Sequence, residues 1–130
     1  MATVTVYNDS RIFDGQGFIH TWVTITTDDG TPHTYSFQNG TTSADRWSNS
    51  GVEGRQPSSQ YAWETTQAQA EAMIQAAEDL HASNPQYTSD GSDATYNCVE
   101  VVSEILRGGG LDPFGNIRFP GQVERILRKL

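Results

Sequence analysis

The chain has 130 residues, of which 35% are hydrophobic and 18% are charged, a composition typical of one globular domain spanning residues 1–130. The net charge of −8 argues against a nucleic-acid partner, because phosphate binding requires clustered Lys and Arg. No apolar run approaches the roughly 20 residues of a membrane-spanning helix, so no membrane span is predicted.

Cys98 is the only cysteine, which excludes an intramolecular disulfide and a multi-cysteine zinc site. His20, His33 and His81 lack the close spacing of a helical metal motif, so no metal or cofactor is predicted. The N-terminal stretch MATVTVYNDSR has no basic segment followed by an apolar one, so no secretory signal is recognised. Export would then need another route or a larger parent chain.

The first 40 residues alternate with a period of two, which predicts strands. ATVTVY is the first strand, the turn-rich NDSRIFDGQG follows it, and FIHTWVTITT is the second strand. Asp29-Gly30 predicts a tight hairpin turn with two positive φ angles. PHTYSFQ is the returning strand, closed by Asn39-Gly40.

Residues 41–61 are rich in Ser, Asn, Gly, Arg and Gln and predict a long surface loop. Trp47 and Trp63 bracket this segment, and we expect both to attach it to the body of the domain.

The second half is predicted to be helical. TTQAQAEAMIQAAEDLHAS carries a capping-box pattern at Thr66 and Gln69, and Asn84-Pro85 ends the helix. QYTSDGSDAT is a polar connector. NCVEVVSEILR is a second helix, stopped by three glycines. Its apolar face comprises Cys98, Val101, Val102, Ile105 and Leu106. A short helix at about 121–129 follows Pro120. Strands followed by helices predict an α+β domain with an antiparallel sheet packed against helices.

Cys98 lies in the first turn of its predicted helix, where the helix dipole and unpaired N–H groups favour a thiolate. This position suits a nucleophile. The alternative is that Cys98 is one more apolar residue of the helix face. A nucleophilic cysteine requires a base. His20 lies within the second strand, whereas His33 borders the hairpin turn and His81 lies near a helix C-terminus.

Several motifs in chain order resemble one superfamily. A histidine on the first arm of a hairpin, followed by Asn97-Cys98 at the start of a later helix, resembles the circularly permuted NlpC-type papain-like cysteine peptidases and amidases. HTWVTITTDDGTPHTYSF is similar to a segment of cysteine-peptidase-like toxin domains of bacterial polymorphic and type VI secretion effectors. Asn84-Pro85-Gln86-Tyr87 and the run Gly108-Gly109-Gly110 follow the same order as in those domains. The resemblance covers about residues 18–111 and implies that Cys98 and His20 form a catalytic pair.

The superfamily also implies a polar residue that orients the imidazole, about twelve positions after the histidine. Pro32 occupies that position and cannot serve, and its neighbour His33 lies too far along the ladder from His20. With a two-residue turn at Asp29-Gly30, Val23 would pair with Ser36.

The longer arms of this hairpin shift the equivalent position to about Ser36, with Gln38 and Asn39 as alternatives that a bulge would decide. Ser36 replaces the glycine more usual in the toxin-like segment.

The resemblance implies a cysteine hydrolase in which His20 deprotonates Cys98 and a thioester forms. The expected substrate is a peptide or a peptidoglycan stem peptide. The protein would be an antibacterial effector delivered without a signal peptide into the periplasm or cytoplasm of a target bacterium, with an immunity protein or a secretion carrier as possible partner. Two alternatives remain: a non-enzymatic adaptor that uses the segment Trp47–Tyr61 as its contact surface, and a thioester-forming acyltransferase.

Overall fold

The computed structural model describes residues 1–11, 19–50, 52–88 and 95–130. The α+β class predicted from the sequence is confirmed. Parts of four predicted segments lie outside the described residues: the turn at 12–17, Phe18 at the start of the second strand, Gly51 in the predicted loop, and residues 89–94 of the polar connector.

The main sheet has four antiparallel strands in the order β3-β2-β1-β4. These strands are β1 (Ala2–Asp9), β2 (His20–Thr26), β3 (Pro32–Tyr35) and β4 (Ser59–Thr65). The short helix α1 (Ser43–Arg46) follows β3. β4 was not predicted, because we interpreted residues 41–61 as a loop. Its alternating pattern SQYAWET pairs with β1 along its whole length, so the edge of the sheet fixes it.

Three helices pack on the sheet: α2 (Gln67–Ser83), α3 (Cys98–Gly108) and α4 (Pro120–Leu127). Between α2 and α3, β5 (Gln86–Tyr87) and β6 (Thr95–Tyr96) form a small parallel pair. The predicted capping box at Thr66 and Gln69 is present, and α2 ends at Asn84 in the left-handed conformation.

One face of the sheet contributes to the hydrophobic core. Ala2, Val4 and Val6 of β1 are buried, as are Val23 and Ile25 of β2. The apolar face predicted for α3 covers them, and all five of its residues are buried. Side chains on a strand alternate between faces, so Tyr7, Asp9, His20 and Trp22 belong to the opposite face of the sheet.

The glycine run at the end of α3 permits close packing on α2. A Cβ built on Gly108 would lie 2.7 Å from the Cβ of Ala76 and 3.3 Å from the carbonyl oxygen of Ala72. Both atoms belong to rigid parts of α2, so a side chain at position 108 would force the two helices apart.

We therefore expect Gly108→Ala to lower the free energy of unfolding by roughly 1 kcal/mol, because overpacking outweighs the gain in helix propensity. Gly121→Ala is the matched control, since it also lies in a helix and a Cβ there meets nothing within 4 Å. Urea denaturation would show a lower midpoint for the first variant and an equal or higher one for the second. Equal midpoints for Gly108→Ala and the parent would contradict this packing.

Candidate active site

The first residue of β2, His20, lies on the sheet face opposite the helices. It pairs with Asp9 across the β1–β2 ladder, and its side chain is 7% exposed. Its Nε2 atom is 2.7 Å from Ser36 Oγ, a hydrogen-bonding distance. The ring also stacks on Trp22, with centroids 5.8 Å apart. The hydrogen bond to Ser36 and the stacking on Trp22 together fix the orientation of the His20 ring.

The hairpin turn explains why Ser36 reaches His20. The predicted two-residue turn is wrong: the Thr27 amide donates to the Thr31 carbonyl at 3.1 Å, so the loop has three residues. Of its members only Gly30 has a positive φ, of 84°. Asp29 instead accepts hydrogen bonds from the Thr27 hydroxyl and the Thr31 amide.

The longer loop shifts the register by one residue, and a shift of one residue moves every side chain to the other face. Val23 pairs with Tyr35 instead of Ser36. Thr24 then pairs with Thr34, and Ser36 falls on the face of His20.

The two alternatives to Ser36 are occupied elsewhere or exposed. The main-chain N–H of Gln38 donates to the Arg46 carbonyl, and its side-chain Nε2 donates to the Asp45 carbonyl. Both hydrogen bonds attach Gln38 to α1. Asn39 is exposed. Of the three residues considered from the sequence, the structure brings Ser36 to His20.

Two charged side chains act on the His20 ring through space. The pKa of His20 is lowered from 6.5 to about 4, first by burial and then by the positive charge of Arg55, while the negative charge of Asp9 opposes them. Asp9 is fully buried and paired with Arg11 at 3.0 Å and with Arg55 at 3.1 Å. His20 is therefore neutral near pH 7 and able to accept a proton.

Cys98 is the first residue of α3, as predicted. Asn97 caps the helix: its Oδ1 accepts from the Glu100 amide at 3.0 Å, and Glu100 Oε1 accepts from the Asn97 amide at 3.1 Å. Asn97 Nδ2 also donates to the Arg118 carbonyl at 2.7 Å, which ties the start of the helix to the segment before α4. The cap thus fixes the backbone that carries the thiol.

The thiol of Cys98 lies against β2. Its side chain is 5% exposed, and burial raises its pKa from 9.0 to about 11. Polar groups of Thr21, together with the backbone N–H groups of Val99 and Cys98 itself, act in the opposite direction. The helix N-terminus therefore favours the thiolate as expected, but burial outweighs it and the resting group is a thiol.

The Cys98 side chain lies against one side of β2, whereas the His20 side chain lies on the other side. The thiol lies near Thr21, whose side chain also donates to Asn8 Oδ1 at 2.6 Å on the helix-facing side. The side chain of His20 points to the side of Ser36 and Trp22. Among the described residues no hydrogen bond joins Cys98 to His20.

Tyr87 was not singled out as a site residue, although it belongs to the quoted Asn84-Pro85-Gln86-Tyr87 stretch. Its ring packs on Phe37, next to Ser36, with centroids 5.8 Å apart. Burial raises the pKa of Tyr87, and the nearby Cys98 adds to the rise. Tyr87 therefore lies close to both Cys98 and the end of the hairpin. Its motif was the available signal, but its position depends on the β5–β6 pair.

Comparison of the chain with protein-family models, curated proteins and solved structures finds no match. Within the described ranges, no helix has the length and apolarity needed to cross a membrane. Over the same ranges, no three potential metal-binding side chains cluster.

The lowered pKa of His20 predicts acid sensitivity. The folded state holds the ring neutral down to about pH 4, whereas the unfolded chain takes up a proton near pH 6.5. The contribution of His20 to the free energy of unfolding is fully present above pH 6.5. As the pH drops to about 4, protonation of His20 in the unfolded chain lowers the free energy of unfolding by roughly 3 kcal/mol. Urea unfolding between pH 7.5 and 4 measures the effect. His20→Gln should flatten this part of the curve, whereas His33→Gln should not; parallel curves for all three chains would contradict it.

The raised pKa of Cys98 predicts slow alkylation. A rise from 9.0 to about 11 lowers the thiolate fraction about 100-fold near neutral pH. Iodoacetamide should therefore label the native chain at least about 100-fold more slowly than the urea-unfolded chain at pH 7.5. Comparable rates would show that the resting thiol is activated, contrary to this environment.

Proposed function

We propose that the protein is a cysteine hydrolase acting on peptide or amide bonds, with a permuted papain-like fold of the NlpC type. The supporting observation is that Cys98 and His20 both lie at the start of β2, one on each side of the sheet. Cys98, at the start of α3, lies against Thr21, and the preceding residue His20 is hydrogen-bonded to Ser36. Cys98, His20 and Ser36 are the three catalytic residues predicted from the sequence.

In the proposed reaction His20 acts as the base through Nδ1. This role requires the tautomer in which Nε2 carries the ring proton and donates a hydrogen bond to Ser36 Oγ, which leaves Nδ1 free to accept a proton. The Cys98 proton passes to Nδ1 as the sulfur attacks the carbonyl carbon. The carbon–nitrogen bond then breaks, and the imidazolium returns the proton to the leaving amine.

The second half of the cycle releases the acyl group. His20 takes a proton from water, the hydroxide adds to the thioester carbonyl, and the carbon–sulfur bond breaks. The proton returns to the sulfur, which restores Cys98 and His20. The backbone N–H groups at the start of α3 are suited to hold the oxyanion in both steps. Because Cys98 packs on the helix-facing side of β2 and His20 faces the other side, proton transfer requires the start of β2 to rearrange so that the His20 ring reaches the sulfur.

We further propose that the activity is antibacterial and directed at the peptide parts of a target cell, consistent with the toxin-like His20 hairpin and the Asn97-Cys98 helix start. Such an effector would require delivery by a carrier and neutralisation by an immunity protein.

A non-enzymatic binding module is the second candidate. The observation in its favour is the burial of Cys98 with a pKa of about 11, which is the environment of an inert core thiol. In that case Cys98 would contribute only packing, and its replacement by Ala would not affect function.

Expression in bacteria separates the two candidates. The parent chain, Cys98→Ala and His20→Ala are directed in turn to the periplasm and to the cytoplasm, and growth is measured at matched protein levels. The enzyme predicts growth arrest in at least one compartment for the parent and loss of toxicity for both variants, because removing a nucleophile or its base costs at least about 10²-fold. Equal toxicity of the three chains would overturn the enzyme.

Ser36 is tested as a positioning residue in the same assay. Ser36→Ala should reduce toxicity less than His20→Ala, and Ser36→Thr should restore it because the hydroxyl is kept. Ser50→Ala is the matched control at an exposed serine. An NMR titration of His20 gives an independent readout: its pKa should change in Ser36→Ala and not in Ser50→Ala.

A further inference from the structure

A cavity of about 360 Å³ opens on the His20 side of the sheet. One side is formed by strand side chains, including Tyr7, Trp22 and Thr34, and the other by Asn49, Val52, Glu53, Arg55 and Pro57. These last five residues belong to the stretch predicted to be a surface loop. The chain turns there, with the Asn49 carbonyl accepting the amides of Val52 and Glu53 at 3.1 and 3.2 Å.

An aromatic row connects this cavity to the proposed base. Trp22 stacks on Tyr7 at 5.6 Å on one side and on His20 at 5.8 Å on the other. Arg55 lies over the Trp22 ring, 5.7 Å from its centroid, and is held there by Asp9. The Trp22 ring would therefore lie between His20 and a ligand in the cavity.

Asn49 contributes an unused hydrogen-bond acceptor. Its Nδ2 donates to the Thr34 carbonyl at 3.1 Å, which fixes the orientation of the amide. Its Oδ1 is buried and has no hydrogen-bond partner among the residues that the structure describes. In contrast, the hydroxyls of Thr24 and Thr34 are joined by a hydrogen bond of 2.9 Å. A buried acceptor without a partner is unfavourable, so a ligand that brings an N–H donor is favoured over one that does not.

We propose that this cavity, on the sheet face opposite Cys98, is a subsite for a part of the peptide substrate away from the scissile bond, with a main-chain N–H donated to Asn49 Oδ1 and the adjoining carbon atoms packed on Trp22. The proposal rests on the proposed function and narrows its substrate to a peptide. An ester-linked acyl chain has no N–H to donate, so the subsite favours peptide hydrolysis over lipid acyl transfer.

Two small probes test the subsite without turnover. N-acetyl-L-alanyl-L-alanine methylamide and its analogue with the central amide N–H replaced by an ester oxygen are titrated into the full chain carrying Cys98→Ser. Binding is followed by NMR at the Trp22 indole and the Asn49 side-chain amide. We expect about tenfold weaker binding of the ester, the value of one well-placed hydrogen bond.

Variants then assign the difference to Asn49. Asn49→Ala should bind the two probes equally, whereas Asn116→Ala, a matched control at an exposed asparagine elsewhere, should keep the tenfold preference. The comparison of the two probes in the chain that carries only Cys98→Ser does not depend on whether Asn49→Ala folds. Equal affinity of the parent for both probes, or no binding of either at tens of millimolar, would overturn the subsite.

The subsite and the proposed function fail separately. Selective amide binding together with equal toxicity of the parent, Cys98→Ala and His20→Ala would keep the peptide site and reject the hydrolase. Loss of toxicity in the two catalytic variants without amide selectivity would keep the hydrolase and reject this subsite.

Discussion

The register of the β2–β3 hairpin is the constraint on which the candidate site depends. Three residues in the turn, rather than two, place Thr24 opposite Thr34 and leave Ser36 on the face of His20. With the two-residue turn, Ser36 would face the helices and the His20 ring would lose this partner. The side chain of Asp29 holds the longer loop by accepting from Thr27 and Thr31, so a local interaction at one end of the hairpin determines a contact at the other.

The start of α3 fixes the position of Cys98, the proposed nucleophile. The capping box of Asn97 and Glu100 sets where the helix begins, and Asn97 Nδ2 binds the Arg118 carbonyl, so the same residue anchors α3 to the chain before α4. α4 is held in turn by Glu124, which accepts hydrogen bonds from Ser10, Ser58 and Ser59. Through these hydrogen bonds, the start of α3, helix α4 and the neighbouring ends of β1 and β4 are fixed relative to one another.

Local patterns predicted most of this framework. The cap at Thr66, the apolar face of α3 and the N-terminal position of Cys98 follow from neighbouring residues, and all three are present. Contacts between distant segments were not predictable in the same way. β4 exists because β1 offers an unpaired edge, and the contact of Tyr87 with Phe37 depends on β5. Ser36 was chosen by counting along an incorrect register, and the structure brings it to His20 for a different reason.

Burial sets the protonation state in which the proposed reaction would begin. With the pKa of His20 at about 4 and that of Cys98 at about 11, the proton stays on sulfur, and a separated thiolate–imidazolium pair would lie on the order of 10 kcal/mol higher. A preformed ion pair is therefore not the resting state. Proton transfer must accompany carbon–sulfur bond formation, so that negative charge develops on the substrate oxygen near the N–H groups of α3.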